Sequence, residues 1–73
     1  MEGDLQRAFG RNLRTHRESL GYSQERFAAE ILHIHRTLAG AIERGERNLT
    51  LRTVERLAER AGVPVLDLLR STD

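Results

Sequence analysis

The residues best equipped for chemistry fall between Ile34 and Asn48, in the run IHRTLAGAIERGERN. His35, Arg36 and Thr37 stand side by side at its start. Three small residues follow, Ala39, Gly40 and Ala41, then Ile42 as a buried anchor and Glu43-Arg44-Gly45 as a stop. Arginine presents a planar fork of donors that fits phosphates and guanine edges. A helix that begins polar, stays slim and ends in a basic turn suits insertion into a DNA groove.

Other chemistries find little to work with. The chain has no cysteine, which excludes disulfides and thiolate zinc sites. His33 and His35 flank Ile34, a poor spacing for a shared ion on a turn, and no further ligand cluster joins them, so no metal is expected. His16 falls on an apolar helical stripe and reads as a hydrogen-bonded, partly buried histidine. Ser19, Ser23 and Ser71 lack a glycine-framed nucleophile turn, and no carboxylate pair stands in a pocket-forming context. Neither an enzyme nor a cofactor nor a small-molecule substrate is expected.

A chain of 73 residues implies one domain, small enough that compact helix packing or dimerisation would help its stability. Net charge is only +1, so composition alone does not announce a nucleic-acid binder. All twelve basic residues are arginine, a usage that a GC-rich genome would also produce. No apolar run approaches the roughly 18 residues of a membrane span, and the N-terminus lacks a signal-peptide core. The expected location is the cytoplasm, with no membrane partner.

The elements that must position the arginines are all helical. Asp4 can cap a first helix running to about Leu20, with Leu5, Phe9, Leu13, His16 and Leu20 on one stripe and Gly21 as its stop. Ser23 caps a second helix, about Gln24 to Leu32, burying Phe27, Ala28, Ile31 and Leu32; Glu25 suits the positive end of its dipole. The third helix covers about 36–44. Thr50 caps a fourth, Leu51 to Ala61, with Leu51, Val54, Leu57, Ala58 and Ala61 inward and Gly62 as its stop. Pro64 suits the first turn of a fifth, with Val65, Leu68 and Leu69 inward. Residues 71–73 read as a frayed tail after a core of about 5–69. No segment alternates with strand periodicity, so the expected class is all-α with five short helices.

Gly21-Tyr22-Ser23-Gln24-Glu25 with Phe27-Ala28, and Ile42-Glu43-Arg44-Gly45, together resemble the Cro/lambda-repressor-type (XRE-type) helix-turn-helix family. The runs HRT (35–37) and IERGERNLTL (42–51) are closer still to the controller proteins of restriction–modification systems. The likeness spans about Phe9 to Leu69. It implies a lambda-repressor-like domain that binds double-stranded DNA as a transcription regulator, bacterial or phage, with residues 36–44 in the major groove. Ser23 and Gln24 would hold a phosphate at the start of helix two. Arg36 and Thr37 would face base edges, Ala41 would offer a methyl there, and His35 would cap the helix or bond a phosphate. Arg44, Arg47, Asn48 and Arg52 would line the DNA backbone. Arg17 and Glu43 would form a buried ion pair tying helix one to helix three.

Two departures from the family pattern stand out. His33 occupies the turn position that usually holds glycine, and carries a modest strain if that position needs φ > 0. Helix two is one residue longer than the family norm around Phe27-Ala28-Ala29. Beyond helix four, Val63, Val65, Leu66 and Leu69 supply more apolar area than a small core needs, which suggests a homodimer surface and a pseudo-palindromic site. The alternative is a protein-interaction module on the same fold, an antitoxin-like subunit or a scaffold variant with weak or no specific DNA binding, favoured by the bland stretch Leu38-Ala39-Gly40-Ala41.

Overall fold

A computed structural model describes residues 3–71, and among them every regular element is helical. Helix α1 spans Asp4–Ser19. Its N-cap is Gly3, not Asp4: the Gly3 carbonyl accepts the Arg7 N–H at 3.1 Å, while the Asp4 carboxylate sits within the first turn and pairs with Arg7. At the other end Gly21 takes φ 80°, the Gly21 N–H bonds the Glu18 carbonyl, and the Tyr22 N–H reaches back to the Arg17 carbonyl. That pairing satisfies carbonyls the helix would otherwise leave open.

The Ser23 hydroxyl caps α2 by accepting the Arg26 N–H at 3.1 Å. The helix makes one α turn, Gln24–Arg26, and continues as a π-helical stretch, Phe27–Leu32. A π turn holds more residues than an α turn. It lets Phe27-Ala28 and Leu32 all reach the core while Ala29 and Glu30 stay exposed between them. His33 ends the helix at φ 57°, ψ 44°, so the position does require the left-handed region and a non-glycine occupies it.

Helices α3 (Arg36–Glu43) and α4 (Leu51–Ala61) follow, each with a capping side chain. The His35 Nδ1 accepts the Thr37 N–H, and the Thr50 hydroxyl accepts the Thr53 N–H, both at 3.1 Å. Helix α5 is short, Val65–Leu69, with Pro64 at its N-cap, one residue earlier than the first-turn position expected.

Phe9, Leu13, Phe27, Leu32, Ile42, Val54, Leu57 and Leu68 fill the centre, each essentially inaccessible. Three expected core positions do not join them: Leu5, Leu20 and Leu51 are exposed, each in the first turn or at the end of its helix. Polar side chains staple the helices together. The Asn12 amide donates to the Leu68 and Arg70 carbonyls at 2.9 and 2.8 Å, holding the end of α5 on α1. His16 is partly buried, its Nε2 3.2 Å from the Ala61 carbonyl and its ring edge-on to Phe27. Arg60 donates to the Leu32 carbonyl at 2.9 Å, tying α4 to the end of α2. Of the expected frayed tail, residues 72–73 lie outside the described residues.

Candidate nucleic-acid interface

The α2–turn–α3 unit stands on α1, and the contact is at backbone distance. Gly10 in the middle of α1 faces the last turn of α3: a Cβ there would overlap the Ile42 carbonyl oxygen and come within 2.9 Å of that of Glu43. Only glycine allows the two helices so close. The same end of α3 carries the main buried polar cluster. Arg17 Nε donates to Glu43 Oε2 at 2.8 Å and Nη2 to Oε1 at 3.1 Å, with the side chains 11% and 4% exposed. The remaining Arg17 nitrogen donates to the Tyr22 carbonyl at 2.9 Å. The hydrogen bond to Glu43 holds the Arg17 guanidinium pKa above its ordinary range despite partial desolvation.

Gln24 joins this cluster: its Nε2 donates to Glu43 Oε1 at 3.1 Å. The half-buried side chain therefore braces α3 from the start of α2, with that nitrogen committed inside the protein. Ser23 remains exposed, its hydroxyl engaged as the α2 cap. A final hydrogen bond runs from Gln6 of α1 to the Gly45 carbonyl. Gly45, at φ 72°, also lies against Arg7, so a side chain there would be both strained and crowded.

The opposite end and outer face of α3 are open. His35, Arg36 and Thr37 are exposed, Ala41 is half-buried, and Arg44 is exposed. Thr37, Ala41 and Arg44 follow the i, i+4, i+7 spacing of one helical stripe, with Arg36 beside it. Ala39, Gly40 and Ile42 are buried on the inner side. Arg47, Asn48 and Arg52 are exposed along the loop after α3 and the first turn of α4.

The charges on this face are of two kinds. Arg36 pairs with Glu25 at 3.1 Å and Arg44 with Glu46 at 3.0 Å, both in solvent. Among the described residues Arg47 and Arg52 make no ion pair. Unneutralised guanidinium groups on an open surface can hold phosphate oxygens, and the paired ones carry donors left over for a base edge.

Of the residues considered for a dimer surface, Val63, Val65 and Leu69 lie partly against the chain's own core, whereas Leu66 is 73% exposed. No local sequence pattern marks Gln6, Asn12 or Arg60 as contacts between helices. A glycine mid-way through an otherwise strong helix was the one available signal, for Gly10. No helix among the described residues is long and apolar enough to cross a membrane, and no three potential metal ligands converge there.

Comparison with known proteins matches this geometry. Residues 13–68 match the helix-turn-helix family. Control protein C.SmaI of Serratia marcescens is 41% identical over 66 residues, covering 90% of this chain and 77% of that protein. Control protein C.BamHI of Bacillus amyloliquefaciens is 38% identical over 73 residues, covering 99% and 89%. The crystal structure of the restriction-modification controller protein C.AhdI from Aeromonas hydrophila superposes with a TM-score of 0.73 at 33% identity, covering 86% of this chain and 90% of that one. The chain belongs to the helix-turn-helix family of DNA-binding transcription regulators, a family of regulators and not of enzymes.

Proposed function

We propose that this protein is a sequence-specific controller of transcription that acts in the cytoplasm as a homodimer, with α3 in the major groove of each half of a pseudo-palindromic operator. The observation that carries the reading is the exposed Arg36-Thr37 pair at the free end of a helix whose other end is locked to α1. Arg36 takes a guanine edge, Thr37 a base edge or thymine methyl, and Ala41 a methyl contact. Arg44, Arg47, Asn48 and Arg52 hold the sugar-phosphate backbone, with Ser23 and Gln24 at the start of α2 at a neighbouring phosphate and His35 as cap or phosphate donor. Leu66, with Val63, Val65 and Leu69 around it, forms the two-fold contact, placing the recognition helices roughly 34 Å apart, one turn of DNA. The likeness to restriction-modification control proteins makes the promoter of such genes, and of the protein's own gene, the natural target.

Selection of bound duplexes from a random library tests the DNA half of this reading. A palindromic motif that loses base preference on Arg36→Ala supports it. Absence of any enriched motif, together with a tight protein partner, would turn the reading to an interaction module. Sedimentation tests the dimer half: a concentration-dependent dimer that Leu66→Glu dissociates supports it, and a monomer at all concentrations refutes it.

A further inference from the structure

The Glu25–Arg36 pair crosses the turn of the helix-turn-helix. Glu25 lies in the opening turn of α2 and Arg36 is the first residue of α3. Arg36 Nη1 donates to Glu25 Oε2 at 3.1 Å, with the side chains 65% and 70% exposed. Exposed pairs of this kind contribute little to folding, so its consequence must be sought on the surface itself. The two residues share a shallow groove with Ala29, Ile34 and His35. Among the described residues Glu25 is the carboxylate that pairs with Arg36.

The contact uses one guanidinium nitrogen, and arginine has five N–H donors in a rigid fork. A bidentate guanine contact needs two of them, so Arg36 can keep Glu25 and still present a full edge to the base. Holding a long side chain in place beforehand removes ordering entropy that would otherwise be lost on binding. The carboxylate also subtracts a positive charge from the face that meets phosphates, and phosphate attraction is the sequence-independent part of DNA affinity.

We infer that Glu25 is a specificity-determining positioning residue: it braces Arg36 for guanine and weakens attraction to duplex in general. The inference rests on the reading of Arg36 as a base reader. Arg47 and Arg52 carry no ion-paired carboxylate among the described residues, whereas Arg44 is paired with Glu46 two residues on; Glu25 differs in reaching across the turn from α2 to α3.

The test compares wild type, Glu25→Gln, Arg36→Ala and the double variant. The probes are the duplex recovered by library selection, its single-base replacements at each guanine, and a duplex lacking the motif. Bidentate arginine–guanine contacts discriminate by roughly 5- to 150-fold. Glu25→Gln is expected to lower that preference by up to about fivefold, the most that an exposed pair of at most about 1 kcal/mol can hold in place, while tightening binding to the motif-free duplex. In the Arg36→Ala background the added Glu25→Gln change leaves base preference unmoved. Wild-type or sharper guanine preference in Glu25→Gln overturns the inference, the sharper result marking Glu25 as a competitor for Arg36. A wild-type library without a motif, or a motif unchanged by Arg36→Ala, overturns the underlying reading of Arg36 and the inference with it.

Discussion

Replacing Gly10 with alanine sets two effects against each other, and the structure decides between them. By helix propensity alone, alanine in the interior of α1 should stabilise by about 1 kcal/mol. The geometry opposes this. The new Cβ would overlap the Ile42 carbonyl oxygen and lie 2.9 and 3.0 Å from the Glu43 carbonyl oxygen and carbon. These are backbone atoms of a capped helix and cannot rotate away. Helices α1 and α3 must separate, which costs about 1–3 kcal/mol as overpacking. Separation also stretches the Arg17–Glu43 pair one to two turns further along the same interface, so the upper part of that range applies. The net expectation is a loss of about 1–2 kcal/mol, or roughly 5–15 °C in Tm for a domain of this size.

Gly40→Ala is the matched control. There the nearest atoms to the added Cβ are Arg44 Nη1 at 3.0 Å and Gln24 Oε1 at 3.2 Å, both ends of side chains, with Gln24 Cδ at 3.7 Å in ordinary contact. Small adjustments relieve the contact, and the propensity gain leaves a net stabilisation of about 0.5 kcal/mol. Thermal and urea unfolding followed by far-UV circular dichroism would give both values. Gly10→Ala as stable as wild type, or more so, would refute the argument from close helix approach.

Three further outcomes follow from the same geometry. His33→Gly removes a side chain from φ 57° and should raise stability by about 0.5–1 kcal/mol after the greater freedom of the unfolded glycine is counted, measured as a higher urea midpoint. Asn12→Ala strips the Leu68 and Arg70 carbonyls of their donor and should cost about 1–2 kcal/mol, with amide exchange rising first in α5. Arg17→Ala leaves Glu43 buried without its cation and should cost about 3–5 kcal/mol, a large share of the stability of so small a domain; a midpoint unchanged in urea would show the pair to be dispensable.

Local signals made most of the helices legible. Ser23 and Thr50 are strong caps, and Gly21, Gly45 and Gly62 all adopt the positive φ that ends a helix, so element boundaries follow from residue type. Periodicity names the residues that share a face but does not say which of them the other helices cover, and Leu5 and Leu51 read as core yet lie exposed. The excess residue in α2 was visible as a count, but whether it would become a loop, a bulge or a π turn depends on the packing of Phe27 and Leu32. Arg17 and Glu43 stand 26 residues apart, beyond any local pattern, and came into view through family likeness alone. Gly10 reads in isolation as a weak helix former; its reason lies on α3, in a segment no sequence window joins to it.

The two ends of α3 are treated differently, and the asymmetry bears on how such a surface can change its target. The C-terminal end is held by the Gly10 contact, by Arg17 and Gln24 on Glu43, and by the Gln6 hydrogen bond to the Gly45 carbonyl. Each of these uses backbone or buried side-chain atoms, so the helix axis is fixed without any contribution from Arg36 or Thr37. Among the described residues those two are exposed, and their hydrogen bonds run to the exposed Glu25 and to the cap at His35. Exposed substitutions away from caps and cores usually change stability by less than about 0.5 kcal/mol. On the function proposed above, the residues that read bases are free to vary almost independently of folding, while the residues that aim the helix are not. A fold that separates aiming from reading in this way can acquire a new base preference by exchanging two exposed side chains, with the buried cluster around Glu43 kept intact.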